Sequence, residues 1–244
     1  MRPLSRYQET NVEGAARVCD AVRENGIRRI VFTSSVSVYG FQPRPVDESE
    51  PFAPFNEYGK TKLEVEGVYR AWAAEDASRT LVIVRPTVVF GEGNRGNVYS
   101  LIHQIASRRF LMVGAGENIK SIACVGSVAA FLAHTLSLGP GEHIFNYVDG
   151  PDRKTRELVD QIRRGLGHAS AIRHTPIRRH GRRSAAGCCG VSFRRIFPIS
   201  AIRMRKFPES TQFRAERAQQ TGFAAPYSLS EGLERTIRFE FPRT

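Results

Sequence analysis

The sequence predicts an α/β fold built on a buried parallel sheet, and three observations carry that expectation. Thr80 to Val84 reads TLVIV, an uninterrupted apolar run of the kind a strand covered on both faces needs. A second β-rich run, Ile30 to Thr33, stands between two segments whose apolar residues recur at helical spacing. These are Val12, Ala15, Ala16, Cys19 and Val22 before it, and Tyr58, Val65, Tyr69, Trp72 and Ala73 after it. A third short strand, His143 to Tyr147, follows another apolar helix pattern.

Taken in order, Asn11 opens the first helix as a candidate N-cap, and Asn25-Gly26 closes it with a glycine suited to a left-handed cap. The strand from Ile30 ends on the hydroxyls of Thr33, Ser34 and Ser35. Pro43, Pro45, Pro51 and Pro54, with Asp47, Glu48 and Glu50 among them, make the next stretch a loop. The helix from Tyr58 follows, then the Thr80 strand, which Arg85-Pro86 ends. After the GEGNRG turn, Asn97 opens the helix NVYSLIHQIA, again as a candidate N-cap. Phe110 to Val113 reads as a short strand, Ser127 to Leu138 as a core helix, and Arg156 to Leu166 as a helix with Leu158, Ile162 and Leu166 aligned. Thr175 to Ile196, with its arginine pairs and scattered glycines, has no period of two or 3.6, and disorder is expected there.

A chain of 244 residues, 41% hydrophobic, buries a sizeable core as one domain or one and a half. No N-terminal apolar segment reads as a secretory leader, and Ile122 to Leu138 is too polar and short to span a bilayer. Cys19, Cys124, Cys188 and Cys189 lack metal-ligand spacing, and because Cys19 and Cys124 lie on apolar helix or strand patterns, buried free thiols in a reducing cytoplasm are expected; the histidines likewise suggest no metal. The net charge of +12 invites a nucleic-acid reading, but its distribution argues against one. Gln161 to Pro208 holds twelve basic residues and no acidic one, which leaves the rest of the chain neutral. A nucleic-acid face needs ordered elements and aromatics to carry such charge.

The chemistry concentrates between Ile30 and Lys62. Tyr58 and Lys62 stand one turn apart on one helix face. A phenol titrates near 10, and an ammonium one turn away is expected to lower that value. With a serine from the preceding strand end, the trio suits removal of a proton from a secondary alcohol while a nicotinamide takes a hydride. Tyr-x-x-x-Lys alone is a common helical pattern, so the order of the surrounding segments matters.

That order is TSSVSVYG, the proline-rich acidic loop, YGKTK, then TLVIVRPTVVFGEG. It resembles the extended short-chain dehydrogenase/reductase family, and within it the NAD-dependent sugar-nucleotide epimerase/dehydratase group. The resemblance covers Pro3 to about Asn146 well and Phe197 to Phe241 less sharply. It implies a partial doubly wound, Rossmann-like parallel sheet with a smaller C-terminal substrate-binding region. Residues 1–90 would carry the catalytic part of the dinucleotide-binding domain, and residues 91–244 a mixed substrate-binding region. By motif position, Ser35 would be the catalytic hydroxyl, Tyr58 the general base, and Lys62 the lysine that holds the ribose and tunes the tyrosine. Asn11, Pro86, Thr87 and Val88 would line the cofactor, with NADP open beside NAD. Asn97 and Lys120 would meet the substrate phosphates.

The implied activity is epimerisation of a UDP-hexose at C4 in the cytoplasm, by a homodimer in the full-length family, with neither nucleic acid nor membrane as partner. Val36 and Ser37 stand where family dehydratases carry an Asp-Glu pair, which argues against a 4,6-dehydratase. A net NAD(P)-dependent reductase fits the same residues. The family's G-x-x-G-x-x-G turn is absent from the sequence, and Gly91, Gly93 and Gly96 fall too late to supply it. Against its family the chain therefore reads as N-terminally truncated, and the competing reading is a cofactor-free, inactive product or interaction module. A shifted reading frame would account for the Thr175 to Ile196 text, with an insert that binds nucleic acid as its alternative.

Overall fold

A computed structural model describes residues 4–168, 174–175 and 210–242. The chain begins with α1 (Leu4–Tyr7), a π-helical stretch (Gln8–Glu13) and α2 (Gly14–Glu24), running continuously. Asn11 therefore lies inside a helical segment and caps nothing, which corrects the N-cap expectation. The helix extends upstream because Leu4 to Glu13 holds no glycine or proline to stop it. Gly26, at φ 63°, closes α2 as expected.

The next elements build the sheet. Strand β1 (Arg29–Thr33) leads to a 3-10 turn (Val36–Tyr39), and α3 (Glu57–Ala74) follows the proline-rich loop. Strand β2 (Thr80–Pro86) is buried along its whole length and runs through Arg85 and Pro86. It is followed by β3 (Val88–Phe90) and α4 (Asn97–Ala106). Gly96 is the N-cap of α4, so Asn97 is its first residue and not its cap. Strand β4 is confined to Met112–Val113, shorter than the Phe110 start expected, because the Phe110 amide bonds back to the Gln104 carbonyl at 3.1 Å and closes the end of α4. Then come β5 (Ile119–Lys120), β6 (Ile122–Cys124), α5 (Val125–His134), β7 (Gly141–Tyr147), β8 (Arg153–Lys154) and α6 (Thr155–Gly165). The last are β9 (His174–Thr175), α7 (Glu216–Gln220) and α8 (Leu229–Glu240). Residues 176–196, where disorder was expected, lie outside the described residues.

The central sheet has the order β1-β2-β7, all parallel, with Ile30 opposite Leu81 and Val84 opposite Phe145. Alternate β2 side chains serve opposite faces. Leu81 and Ile83 pack with Ala15, Cys19 and Val22 of α2 and Val65, Tyr69 and Trp72 of α3. Val82 and Val84 pack with Val128 and Phe131 of α5 and Ala218 of α7. Helices thus cover both faces, which explains the continuous apolar run and fits the doubly wound expectation. A second region forms its own core from Phe90, α4, Met112, β6, α6 and α8, including Ile102, Ile162, Leu233 and Ile237. Among the described residues no helix is long and apolar enough to cross a membrane.

Candidate active site

The Tyr58 helix is placed by its own first turn. Asn56 takes an extended conformation, and its Oδ1 accepts the Gly59 amide at 2.8 Å, a side-chain N-cap. Glu57 adds the acidic first-turn residue that suits the helix dipole. Gly59 is needed for contact: a Cβ there would lie 2.6 Å from the Ser37 carbonyl and 3.1 Å from Pro54. The helix start can therefore press directly on the 3-10 turn whose N-cap is Ser35. At the far end of that turn Gly40, at φ 72°, sits where a Cβ would collide with the Ala53 carbonyl.

This packing brings Ser35, Tyr58 and Lys62 together. Tyr58 is 39% exposed, open to a ligand on one side. Lys62 Nζ donates to the Thr33 carbonyl at 2.8 Å and lies 5.9 Å from the Tyr58 ring centroid and 4.7 Å from that of Phe32. Burial raises the Tyr58 phenol above its ordinary 10, and hydrogen bonding with the Ser35 side chain opposes the rise. The expected lowering by the Lys62 ammonium is not seen. Lys62 directs its charge to the Thr33 carbonyl, and burial holds its own titration below the ordinary 10.5 while Glu66 opposes.

The other expected residues fall into two groups. Asn11 reaches the same helix, its Nδ2 donating to Thr61 Oγ1 at 3.0 Å. Pro86 and Thr87 are buried at the end of β2, and Val88 is 38% exposed. Thr87 Oγ1 and Ser37 Oγ are buried with no hydrogen-bond partner among the described residues. Asn97 and Lys120 belong to the second region, at the start of α4 and on β5. A separate groove of about 700 Å³ between α6 and α8, lined by Arg153, Arg164 and Arg238 among others, involves none of Ser35, Tyr58 or Lys62.

Sequence reasoning missed a buried polar chain beneath the trio. Glu66, one turn beyond Lys62, accepts Ser34 Oγ at 2.6 Å and both Arg85 Nε and Nη2, at 2.9 and 2.5 Å. Arg85 Nη1 donates to the Tyr39 hydroxyl at 2.6 Å, which donates to Asn146 Oδ1 at 2.9 Å. Burial pushes the Tyr39 phenol up to about 12, so it keeps its proton. The Asn146 amide donates to Glu48 of the acidic loop at 2.7 Å. One signal was available: an arginine that ends an all-apolar strand must find a buried partner.

The chain is similar to several known proteins. Residues 2–147 match the model of the NAD dependent epimerase/dehydratase family. The chain is 42% identical over 245 residues to the N-acetyl-alpha-D-glucosaminyl-diphospho-ditrans,octacis-undecaprenol 4-epimerase of Escherichia coli O157:H7, covering 98% of this chain and 73% of that one. It is 26% identical to the UDP-glucose 4-epimerase of Vibrio cholerae, over 97% of this chain and 70% of that one. Its fold matches that of UDP-glucuronic acid 4-epimerase from Bacillus cereus in complex with NAD, with TM-score 0.75 and 16% identity over 98% of this chain and 70% of that one.

Proposed function

We infer the reaction from one premise: the chain belongs to the NAD dependent epimerase/dehydratase family. It is an enzyme family whose cofactor is NAD. Our reading is a 4-epimerase of a diphosphate-linked sugar, of the UDP-hexose type expected from the sequence. The observation that carries it is the convergence of Ser35, Tyr58 and Lys62 on one open face.

The residues present suit the nicotinamide half of the cofactor. Lys62 commits one of its three N–H donors to the Thr33 carbonyl, and the orphaned Thr87 hydroxyl lies buried where β2 ends. Asn11, Pro86 and Val88 complete the set we assign to holding it. NAD, when bound, would supply the hydride acceptor for oxidation at the sugar carbon and the hydride donor for its reversal. Tyr58, in its phenolate form, accepts the proton of the sugar 4-hydroxyl, and Ser35 hydrogen-bonds the same oxygen. Lys62, one turn along the same helix face and bonded to the Thr33 carbonyl, orients the ribose. After the 4-keto sugar turns over, Tyr58 gives the proton back, and no net oxidation results. Asn97 and Lys120 are assigned to the diphosphate. The boundary at residue 90, the homodimer and a cytoplasmic location belong to the same proposal.

A second substrate source is favoured by the higher identity to the lipid-diphosphate epimerase, 42% against 26% for the UDP-glucose enzyme. The test therefore offers UDP-N-acetylglucosamine and its undecaprenyl-diphosphate counterpart in parallel. Tyr58→Phe should lower turnover by about 10²–10⁴-fold while saturable NADH fluorescence is retained. A Tyr58→Phe protein with wild-type rate, or a wild-type chain that does not bind NADH, overturns the mechanism.

A further inference from the structure

We propose that Glu66 is a positioning residue: its buried carboxylate ties the Ser35 turn and the end of β2 to the Tyr58 helix and supplies the negative charge that faces Lys62. This rests on the epimerase reading above and adds residues to it. The Ser34 bond is short, 2.6 Å, and Ser34 is fully engaged: its amide also donates to the Val84 carbonyl at 2.7 Å. Main chain and side chain thus fix the residue immediately before Ser35. Arg85, held by two bonds to the same carboxylate, immediately precedes Pro86 and Thr87. One carboxylate therefore sets three segments that converge on the site.

Its face of α3 makes the arrangement directional. Tyr58, Lys62 and Glu66 follow one another at successive turns. The groups facing Lys62 are Tyr58 and Glu66 on its own helix, and the Thr33 carbonyl and Phe32 ring from β1. Glu66 is the negative one, and it acts against the burial that discourages a charged lysine. Arg70 also reaches Glu66, at 3.4 Å, and the Glu66 side chain is fully buried. The network continues through Tyr39 and Asn146 to Glu48, which anchors the loop leading into α3.

Two measurements test this. Ser34→Ala removes one hydrogen bond and leaves the Glu66–Arg85 pair intact. It should lower kcat on the order of tenfold to a hundredfold through misplacement of Ser35. KM should stay within about twofold, because ground-state binding is untouched, and Ser34→Thr should restore kcat. The second measurement needs no turnover: the rate of Lys62 acetylation by acetic anhydride, read by peptide mass spectrometry against Lys154. Glu66→Gln should raise that rate several-fold, since more of the amine is uncharged. If the single variant does not fold, Glu66→Gln/Arg85→Met leaves no lone buried charge and serves instead. Wild-type turnover in Ser34→Ala, a parallel fall of kcat and melting temperature that Ser34→Thr does not reverse, or an unchanged Lys62 ratio overturns the proposal. A wild-type chain without turnover on either sugar counts against the epimerase reading, and the labelling then decides on Glu66 alone.

Discussion

Glu66, in the middle of α3, and Glu75, at its C-cap, are each held by arginine in different surroundings. Glu66 and Arg85 are both fully buried, and every further bond of the pair goes to protein. Glu75 bonds Arg23 at 2.6 Å and Arg79 at 2.6 Å, with its side chain 40% exposed. At the exposed end, water and salt compete with the partners, and the pair does little beyond tying α2 to α3. At the buried end no solvent can replace a lost partner, so the pair either stands complete or fails. The same chemistry therefore secures the surface loosely and the candidate active site rigidly.

The sharpest way to break this comparison is to remove Arg85. Arg85→Met leaves a buried, unpaired carboxylate and should cost about 3–5 kcal/mol in urea unfolding. The double variant Glu66→Leu/Arg85→Met should recover most of that loss, since apolar replacement of a buried pair is often neutral. If the single variant unfolds at the wild-type midpoint, the pair is not the rigid element described. A smaller effect is expected from Tyr39→Phe. It strips the hydroxyl between Arg85 and Asn146 and should cost about 1–3 kcal/mol, the range for leaving a buried partner unsatisfied. Chemical denaturation again reads it.

The smallest effect belongs to the exposed end. Glu75→Gln should lower stability slightly, and the difference should fade in high salt. Its pH dependence has a definite sign. Hydrogen bonds from Arg23 and then Arg79 hold the Glu75 carboxyl down at about 2, against an ordinary 4.5. The group is depressed in the folded state, so its contribution is present above about 4.5 and is lost as pH falls through about 2. Thermal melts of wild type and Glu75→Gln should converge across that window. A gap that widens toward low pH would contradict the assignment.

Much of this molecule was legible as one-dimensional pattern. The TLVIV run announced a strand covered on both faces, and the helical spacing after Tyr58 announced α3 and the Tyr58–Lys62 pairing. These are local consequences of backbone period and burial. The helix-opening roles expected of Asn11 and Asn97 were less secure, because the cap depends on where a helix starts, and nothing at Leu4 stops the first helix earlier than Glu24.

By itself, then, the sequence determined the order of elements and the parallel sheet, and it named Ser35, Tyr58 and Lys62 as the candidate set. Only the tertiary structure decided the electrostatics of that set. Ser34, Glu66 and Arg85 are distant along the chain and meet because β1 and β2 pair in register beneath α3. The Tyr58 phenol stays high because packing removes water from it, and the Lys62 ammonium is bonded to the Thr33 carbonyl. Periodicity is written locally; desolvation and partner choice depend on three-dimensional neighbours, and no spacing rule encodes them.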